Sequence, residues 1–222
     1  MSALEDLYEA ILEGQRFAVA GLVQRALDAG VVPAAIVEGT LRPAMGEVGE
    51  LFSRGEFFLP QLLLAASAMK IATETLRPLL VDAAGVNRQE AVVIGTVQGD
   101  VHDIGKNLVV ATLEGAGYRV VDIGVDASPS KYVEAVRAHD PAVIGFSALL
   151  STTMVYIPTT IKALEEAGLR AGRILAVGGA PVTQRNADEW GVEAYAADAG
   201  TAVRVIEQAL ARRRAAREEA PQ

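Results

Sequence analysis

The residues best suited to chemistry are concentrated in one short segment, Gln98-Gly99-Asp100-Val101-His102-Asp103-Ile104-Gly105-Lys106-Asn107. His102 is one of only two histidines in the chain, and its neutral imidazole can coordinate a transition metal. Asp100, two residues earlier, can accept a hydrogen bond from the other ring nitrogen, fixing the tautomer and raising the basicity of the ligand. A proton relay would continue from Asp100 to a hydroxyl. Asp103 suits either a helix start or a second metal ligand. Further along, Ser147-Ala148-Leu149-Leu150-Ser151-Thr152-Thr153 is rich in hydroxyls, and Gly178-Gly179-Ala180-Pro181 offers backbone without Cβ atoms. Gly105, Gly178 and Gly179 let the chain pass close to a bulky group, and a glycine at a helix start favours nearby phosphate or amide oxygens. The other histidine, His139, precedes Asp140-Pro141 and reads as a cation at a helix C-terminus.

These segments need a scaffold, and the hydrophobic pattern supplies one. From Ala91 onward, short apolar runs alternate with helical stretches. Strands are expected at Ala91 to Val97, Arg119 to Gly124, Ala142 to Ser147, Arg173 to Gly178 and Glu193 to Ala196. Helices fall between them, at Gly105 to Gly115, Pro129 to His139, Met154 to Ala167 and Thr183 to Trp190, with a last one from Ala199 to about Arg214. Continuous apolar strands such as AVVIGTV imply burial on both faces, and the alternation implies a doubly wound, five-stranded parallel sheet of the Rossmann-like or flavodoxin-like kind. With strand order 2-1-3-4-5, the loops after the first, third and fourth strands converge on one rim, where such sheets bind ligands.

Residues 1 to about 80 show helical periodicity only. A first helix carries Leu4, Leu7, Tyr8, Ile11 and Leu12. A second, from about Phe17 to Asp28, buries Val19, Leu22, Val23, Ala26 and Leu27. A third, Pro33 to about Ser53, points Ile36, Val37, Met45, Val48, Leu51 and Phe52 inward, with Pro43 kinking or dividing it. A fourth, from near Pro60 to Leu80, carries Leu63, Leu64, Ala68, Ile71, Leu76 and Leu79. Short connections make this an antiparallel four-helix bundle. The expected domains are a helical bundle at 1–84, a linker at 85–90, an α/β domain at 91–214 and a polar tail at 215–222.

Composition removes several classes of function. The 222-residue chain is 51 % hydrophobic and contains no cysteine, so thiolate metal sites, disulfides and thiol nucleophiles are excluded. A formal net charge of -8 repels nucleic acid, and the one basic cluster, Arg212, Arg213, Arg214 and Arg217, lies on the tail. No apolar run is long enough for a membrane span, and the opening MSALEDLYEA is acidic and amphipathic where a signal peptide is basic and then apolar. The chain reads as cytosolic, with neither nucleic acid nor membrane as partner.

D-x-H-x-x-G followed by Lys-Asn, then S-x-L, then Gly-Gly, resembles the cobalamin-binding region of methionine synthase and the small corrinoid proteins of methanol, methylamine and O-demethylase methyltransferase systems. The likeness extends to GELFSRGEFFLP, Gly49 to Pro60, and the residues after it, which are similar to the helical cap covering the methyl-bearing face of the corrin in that family. The resemblance implies a cobalamin cofactor, as methylcobalamin or hydroxocobalamin, bound with its own base displaced and His102 on cobalt, the single metal ligand from the protein. It implies Asp100 as the histidine's partner and Thr153 as the hydroxyl completing the relay, where methionine synthase has serine; Ser151 is a second candidate. Cofactor contacts would come from Val101, His102, Asp103, Ile104, Gly105 and Lys106, from Ser147, Leu149, Ser151 and Thr153, and from Gly178 and Gly179 beneath the nucleotide tail. Lys106 either lies on a solvated face or approaches the corrin's amide or phosphate groups. Phe58, Leu62 and Leu63 are candidates for the cap contacts, although Phe57 and Phe58 equally suit bundle core.

What the resemblance implies for function is a methyl carrier. Cobalt takes a methyl group from a substrate activated by a separate, substrate-specific methyltransferase. A second methyltransferase then passes it to tetrahydrofolate or a thiol, and a reductive activator protein maintains the cobalt. Such a subunit does not turn over without its partner methyltransferases. Two other readings share part of the motif. A regulatory or light-sensing protein binding adenosylcobalamin needs an output domain, and the acidic bundle offers none. The small subunit of an adenosylcobalamin mutase shares D-x-H-x-x-G and Gly-Gly but normally pairs with a barrel subunit, and Lys106-Asn107 and the helical cap argue for the methyl carrier.

Overall fold

The computed structural model describes residues 2–84 and 90–218. All of the expected linker except Glu90, and the last four residues of the tail, lie outside the described residues. By contacts the chain divides into two units, one of Met1–Gln89 with Ala111–Tyr118 and one of Glu90–Val110 with Arg119–Gln222.

In the helical unit, α1 (Ala3–Leu12) starts at a capping box, with the Ser2 hydroxyl accepting from the Glu5 N–H and the Glu5 carboxylate accepting from the Ser2 N–H. Helix α2 spans Arg16–Asp28. The third stretch is divided, as Pro43 suggests, but in a particular way: α3 (Pro33–Ile36) runs into a π-helical turn, Val37–Leu41, and then into α4 (Arg42–Ser53). Proline has no N–H for the carbonyl four residues back, here Gly39, and its ring crowds that carbonyl. The helix relieves this by widening ahead of the proline, and the Arg42 N–H reaches back five residues to the Val37 carbonyl.

Helix α5 (Leu59–Ala84) is longer than the sequence pattern suggests, and its buried face is rotated from the expected one. Leu62, Ala65, Ala66, Ala68, Met69, Ala72 and Leu76 are buried, whereas Leu63, Leu64 and Leu79, expected inside, are exposed. The correction has a packing cause. The small residues let neighbouring helices approach, and at Gly14, in the α1–α2 turn, an added Cβ would lie 2.5 Å from the Cβ of Leu64.

The second unit holds the parallel sheet, β1 (Ala91–Thr96), β2 (Arg119–Asp122), β3 (Val143–Ser147), β4 (Ile174–Gly178) and β5 (Ala194–Ala196), in the order β2-β1-β3-β4-β5. The expected order is the observed one. All pairs are parallel, with Val93 opposite Ile144 and Ile144 opposite Leu175. Strands β1, β3 and β4 are buried almost throughout, which is what their uninterrupted apolar runs require, while the edge strand β2 is partly exposed. Helices α6 (Ile104–Gly115), α7 (Pro129–His139), α8 (Tyr156–Glu166), α9 (Gln184–Glu189) and α10 (Ala199–Glu218) follow the strands in turn.

The α/β core is built on Val93, Ile144, Phe146, Leu175 and Val177 of the sheet with Tyr132, Val136, Ile157 and Leu164 of α7 and α8. Tyr132, fully buried, donates its hydroxyl to the carbonyls of Gly95 and Gly145 at 2.7 and 3.2 Å, bracing the two central strands where they lack side chains. After β1 the chain turns to β2 on one side, and after β2 it crosses to β3 on the other. The reversal opens a crevice at the carboxyl ends of β1 and β3, and the loops described next sit there. Among the described residues no helix is long and apolar enough to cross a membrane.

Candidate cofactor site

The loop after β1 begins with a β-turn in which the Asp100 N–H meets the Val97 carbonyl at 3.1 Å and Gly99 takes a left-handed φ of 78°. This turn drops the Asp100 side chain into the protein, where it is fully buried, and sends His102 outward with its side chain 47 % exposed. The two side chains meet at 2.7 Å, His102 Nδ1 to Asp100 Oδ1. The same oxygen accepts the His102 backbone N–H at 3.0 Å. The other oxygen, Oδ2, accepts the N–H groups of Leu149 and Leu150 at 2.7 and 3.3 Å and the Thr153 hydroxyl at 2.9 Å, all from the loop after β3. One carboxylate therefore fastens two loops that flank the crevice.

Burial alone would push the Asp100 carboxyl up. The donated bonds from Leu149, His102 and Thr153 outweigh it and hold the group well below the usual carboxylate range. An ionised carboxylate has no proton to give, so His102 must donate from Nδ1, and in the neutral ring the lone pair is on the outward nitrogen, Nε2. Thr96, buried at the end of β1, donates to the His102 carbonyl at 2.9 Å and fixes the backbone of the same residue. On the segments that follow β1 and β3, Val101, Ile104, Leu149, Leu150 and Val155 are exposed apolar side chains. Among the described residues no group of three or more His, Asp or Glu is arranged to hold a metal ion.

Residues 90–210 match a family described as a B12 binding domain, and residues 3–77 match a second family of the same description. The chain belongs to the B12-binding family. Its cofactor is a cobalamin. Dimethylamine corrinoid protein 1 of Methanosarcina acetivorans is 39 % identical over 208 residues, 94 % of this chain and 97 % of that protein. Trimethylamine corrinoid protein 2 of Methanosarcina mazei is 40 % identical over 202 residues, 90 % of this chain and 93 % of that one. Among solved structures, a cobalamin-binding protein from Desulfitobacterium hafniense superposes with a TM-score of 0.79 at 26 % identity, covering 93 % of this chain and 98 % of that chain. A chain of the methanol:cobalamin methyltransferase complex MtaBC from Methanosarcina barkeri superposes with a TM-score of 0.74 at 30 % identity, covering 94 % and 80 %.

The residues present fit a B12 corrin. A single imidazole nitrogen, an apolar rim and no competing ligand cluster among the described residues suit a metal that brings its own macrocycle. Gly105, in the first turn of α6, has nothing within 4 Å of the place where a Cβ would stand, so the space above the helix start is open. Gly179 has a different reason to be glycine. With φ at 123°, a Cβ there would lie 1.8 Å from the Ala148 carbonyl oxygen, so the loops after β3 and β4 pack backbone to backbone. Ser147 and Gly178 face each other across β3 and β4, and the Gly178 carbonyl accepts from the Ala148 N–H at 3.2 Å.

Three expected residues stand otherwise in this B12-binding chain. Lys106 neither lies on a solvated face nor reaches outward: its side chain is buried, ion-paired with Asp122 of β2 and hydrogen-bonded to the Asn107 side chain. Ser151 is exposed, and the hydroxyl that meets Asp100 is that of Thr153. Leu62, expected to touch the cofactor, is fully buried, whereas Phe58 is 64 % exposed. Asp103 stands just before α6, accepting from the Asn107 backbone at 2.7 Å and from its side chain at 3.1 Å, which is helix-start geometry. The residues that sequence reasoning missed are Thr96, Asp126 and the backbone N–H groups of Leu149 and Leu150. Only the first two act through side chains: Thr96 is the polar residue that interrupts the apolar run at the end of β1, and Asp126 lies in the loop after β2.

Proposed function

We propose that the protein is a methyl carrier that binds cobalamin with His102 on cobalt in place of the cofactor's own base. When bound, cobalamin supplies a metal centre that accepts a methyl group and gives it up again. Everything else falls to the chain. His102 Nε2 would hold the cobalt. Asp100 Oδ1 holds the Nδ1 proton, so the lone pair stays on Nε2 while His102 is a ligand. Without the metal the ring would stay hydrogen-bonded to the buried Asp100 carboxylate, which keeps it in place. Thr153 and the Leu149 and Leu150 N–H groups keep Asp100 ionised and immobile. Val101, Ile104 and Leu149 offer apolar surface to the corrin, and Ser147, Gly178 and Gly179 line the path of the displaced nucleotide tail.

The observation that carries this reading is the 2.7 Å bond between a half-exposed ring and a fully buried carboxylate with five donated hydrogen bonds. The likeness to dimethylamine and trimethylamine corrinoid proteins makes a methylamine-type donor system the first to try, with a substrate-specific methyltransferase loading the carrier. A second methyltransferase, using tetrahydrofolate or a thiol, unloads it, a reductive activator protein restores the cobalt, and the setting is the cytosol. The test is reconstitution with hydroxocobalamin and an absorption spectrum of wild type and His102→Ala. The expected result is a base-off, histidine-coordinated spectrum that the substitution abolishes. Failure to retain the corrinoid, or an identical spectrum in the variant, would overturn the reading.

A further inference from the structure

Asp126 sits in the loop between β2 and α7 with a backbone φ of 48°. Among the described residues only Asp126 and Asp140 adopt positive φ without being glycine. Asp140 has an ordinary reason, since it is the left-handed cap that ends α7. Asp126 caps no helix. A side chain held in this region is strained, and glycine would adopt the same backbone freely. Something must make the aspartate side chain worth keeping.

Its two hydrogen bonds supply the reason. In the β-turn of Val97 to Asp100, the N–H of Gly99 belongs to the central peptide and has no partner within the turn. Asp126 Oδ1 accepts it at 2.7 Å. In return, the Asp126 N–H donates to the Asp100 carbonyl at 2.9 Å. The next residue continues the attachment, the Ala127 N–H donating to the Thr96 carbonyl at 2.9 Å and Val97 bridging to Ala127. A two-point clamp thus grips the Gln98–Gly99 peptide and the Asp100 carbonyl, one on each side of the Gly99–Asp100 peptide, and the left-handed turn at Asp126 aims its N–H and its carboxylate at the same target.

We infer that Asp126 is a positioning residue for the Asp100–His102 pair, setting the depth and orientation at which the β1 loop presents the imidazole. The inference rests on the reading of His102 as the cobalt ligand, and it adds a third loop to the two that Asp100 already joins. Asp126 touches neither the ring nor the reacting atoms and acts only through the Gly99–Asp100 backbone.

Two substitutions separate positioning from plain structural support. Asp126→Asn keeps the acceptor and tolerates the left-handed backbone. Asp126→Gly relieves the strain and deletes the acceptor. In the cofactor-free protein, Asp126→Gly should melt at or above the wild-type midpoint while amide hydrogen exchange quickens at Gly99 and His102. Loaded with hydroxocobalamin, it should bind roughly tenfold more weakly, at the low end for residues that orient a metal ligand, with the histidine-coordinated spectrum partly lost. Asp126→Asn should behave as wild type in all three measurements. The inference is overturned if Asp126→Gly binds and exchanges as wild type does, or if its melting midpoint falls together with its affinity. If His102→Ala leaves the spectrum of the loaded protein unchanged, the cobalt-ligand reading fails instead. Amide exchange in the cofactor-free protein then still decides whether Asp126 holds the pair.

Discussion

Replacing Asp100 by asparagine changes one atom and breaks the most densely bonded group in the site. The carboxylate accepts five hydrogen bonds, two on Oδ1 from His102 and three on Oδ2 from Leu149, Leu150 and Thr153. An amide offers one acceptor oxygen. The backbone donors of Leu149 and Leu150 cannot turn away, so that oxygen is held on their side and the NH2 group faces His102, donor against donor. Two charge-assisted bonds are lost, and the His102 N–H is left without an acceptor. At about 1.5–3 kcal/mol for each such bond, offset by the lower burial penalty of a neutral amide, Asp100→Asn should lose about 2–4 kcal/mol. Urea denaturation of the cofactor-free protein at neutral pH reads this directly. The pH dependence is a second readout. Because the folded-state pKa of Asp100 is depressed, its contribution is fully present above the unfolded aspartate value of about 3.9 and is lost as pH falls towards the folded value. The gap between wild type and variant should therefore stay open at neutral pH and narrow below about pH 4. Overlaying denaturation curves at neutral pH, or a gap that does not change on acidification, would refute the account of Asp100 as an ionised, fully donated anchor.

Two further outcomes follow from packing. Gly179→Ala places a Cβ 1.8 Å from the Ala148 carbonyl at a φ of 123°, so it should destabilise the α/β unit by about 3 kcal/mol or more, read by urea denaturation. A stable variant would mean that the loops after β3 and β4 are not locked together there. Tyr132→Phe removes the hydroxyl bonded to the Gly95 and Gly145 carbonyls and should cost about 1–2 kcal/mol with hydroxocobalamin affinity unchanged, because the residue braces strands and not the site. A loss of affinity without a loss of stability would refute that division.

The α/β half was the more legible in the sequence, for a physical reason. Strands buried on both faces must be apolar without interruption, and the loops that end them are polar, so AVVIGTV followed by QGDVHDIGKN marks its own boundary. The helical half is less explicit. In α5, Leu62, Leu63 and Leu64 are equally apolar, and the phase of the helix is decided by alanines that permit close approach, which carry almost no periodic signal. The same limit applies within the site. His102 and Asp100 are neighbours in sequence, so their pairing is readable, but the choice of Thr153 over Ser151 depends on how the 150–154 turn is wound. Lys106, at the start of α6, and Asp122, at the end of β2, meet only once the chain has folded, and no local pattern reports a partner sixteen residues away. The Leu149 and Leu150 donors are backbone atoms, identical in every residue but proline, and so invisible to any reading of side chains.

Backbone anchoring of Asp100 suits the role proposed for His102. A histidine that alternately binds and leaves a metal has to be exposed, and an exposed ring on a loop is ordinarily free to rotate. Here the ring is restrained from beneath, by a carboxylate that is itself held by backbone N–H groups and a buried hydroxyl. Backbone donors fixed by the sheet lose little entropy in holding an anion, whereas long cationic side chains would have to be ordered and would compete for the metal-facing space. The arrangement therefore puts the charge that steadies His102 on the buried side and leaves the outward imidazole nitrogen beside exposed apolar side chains of the same loops.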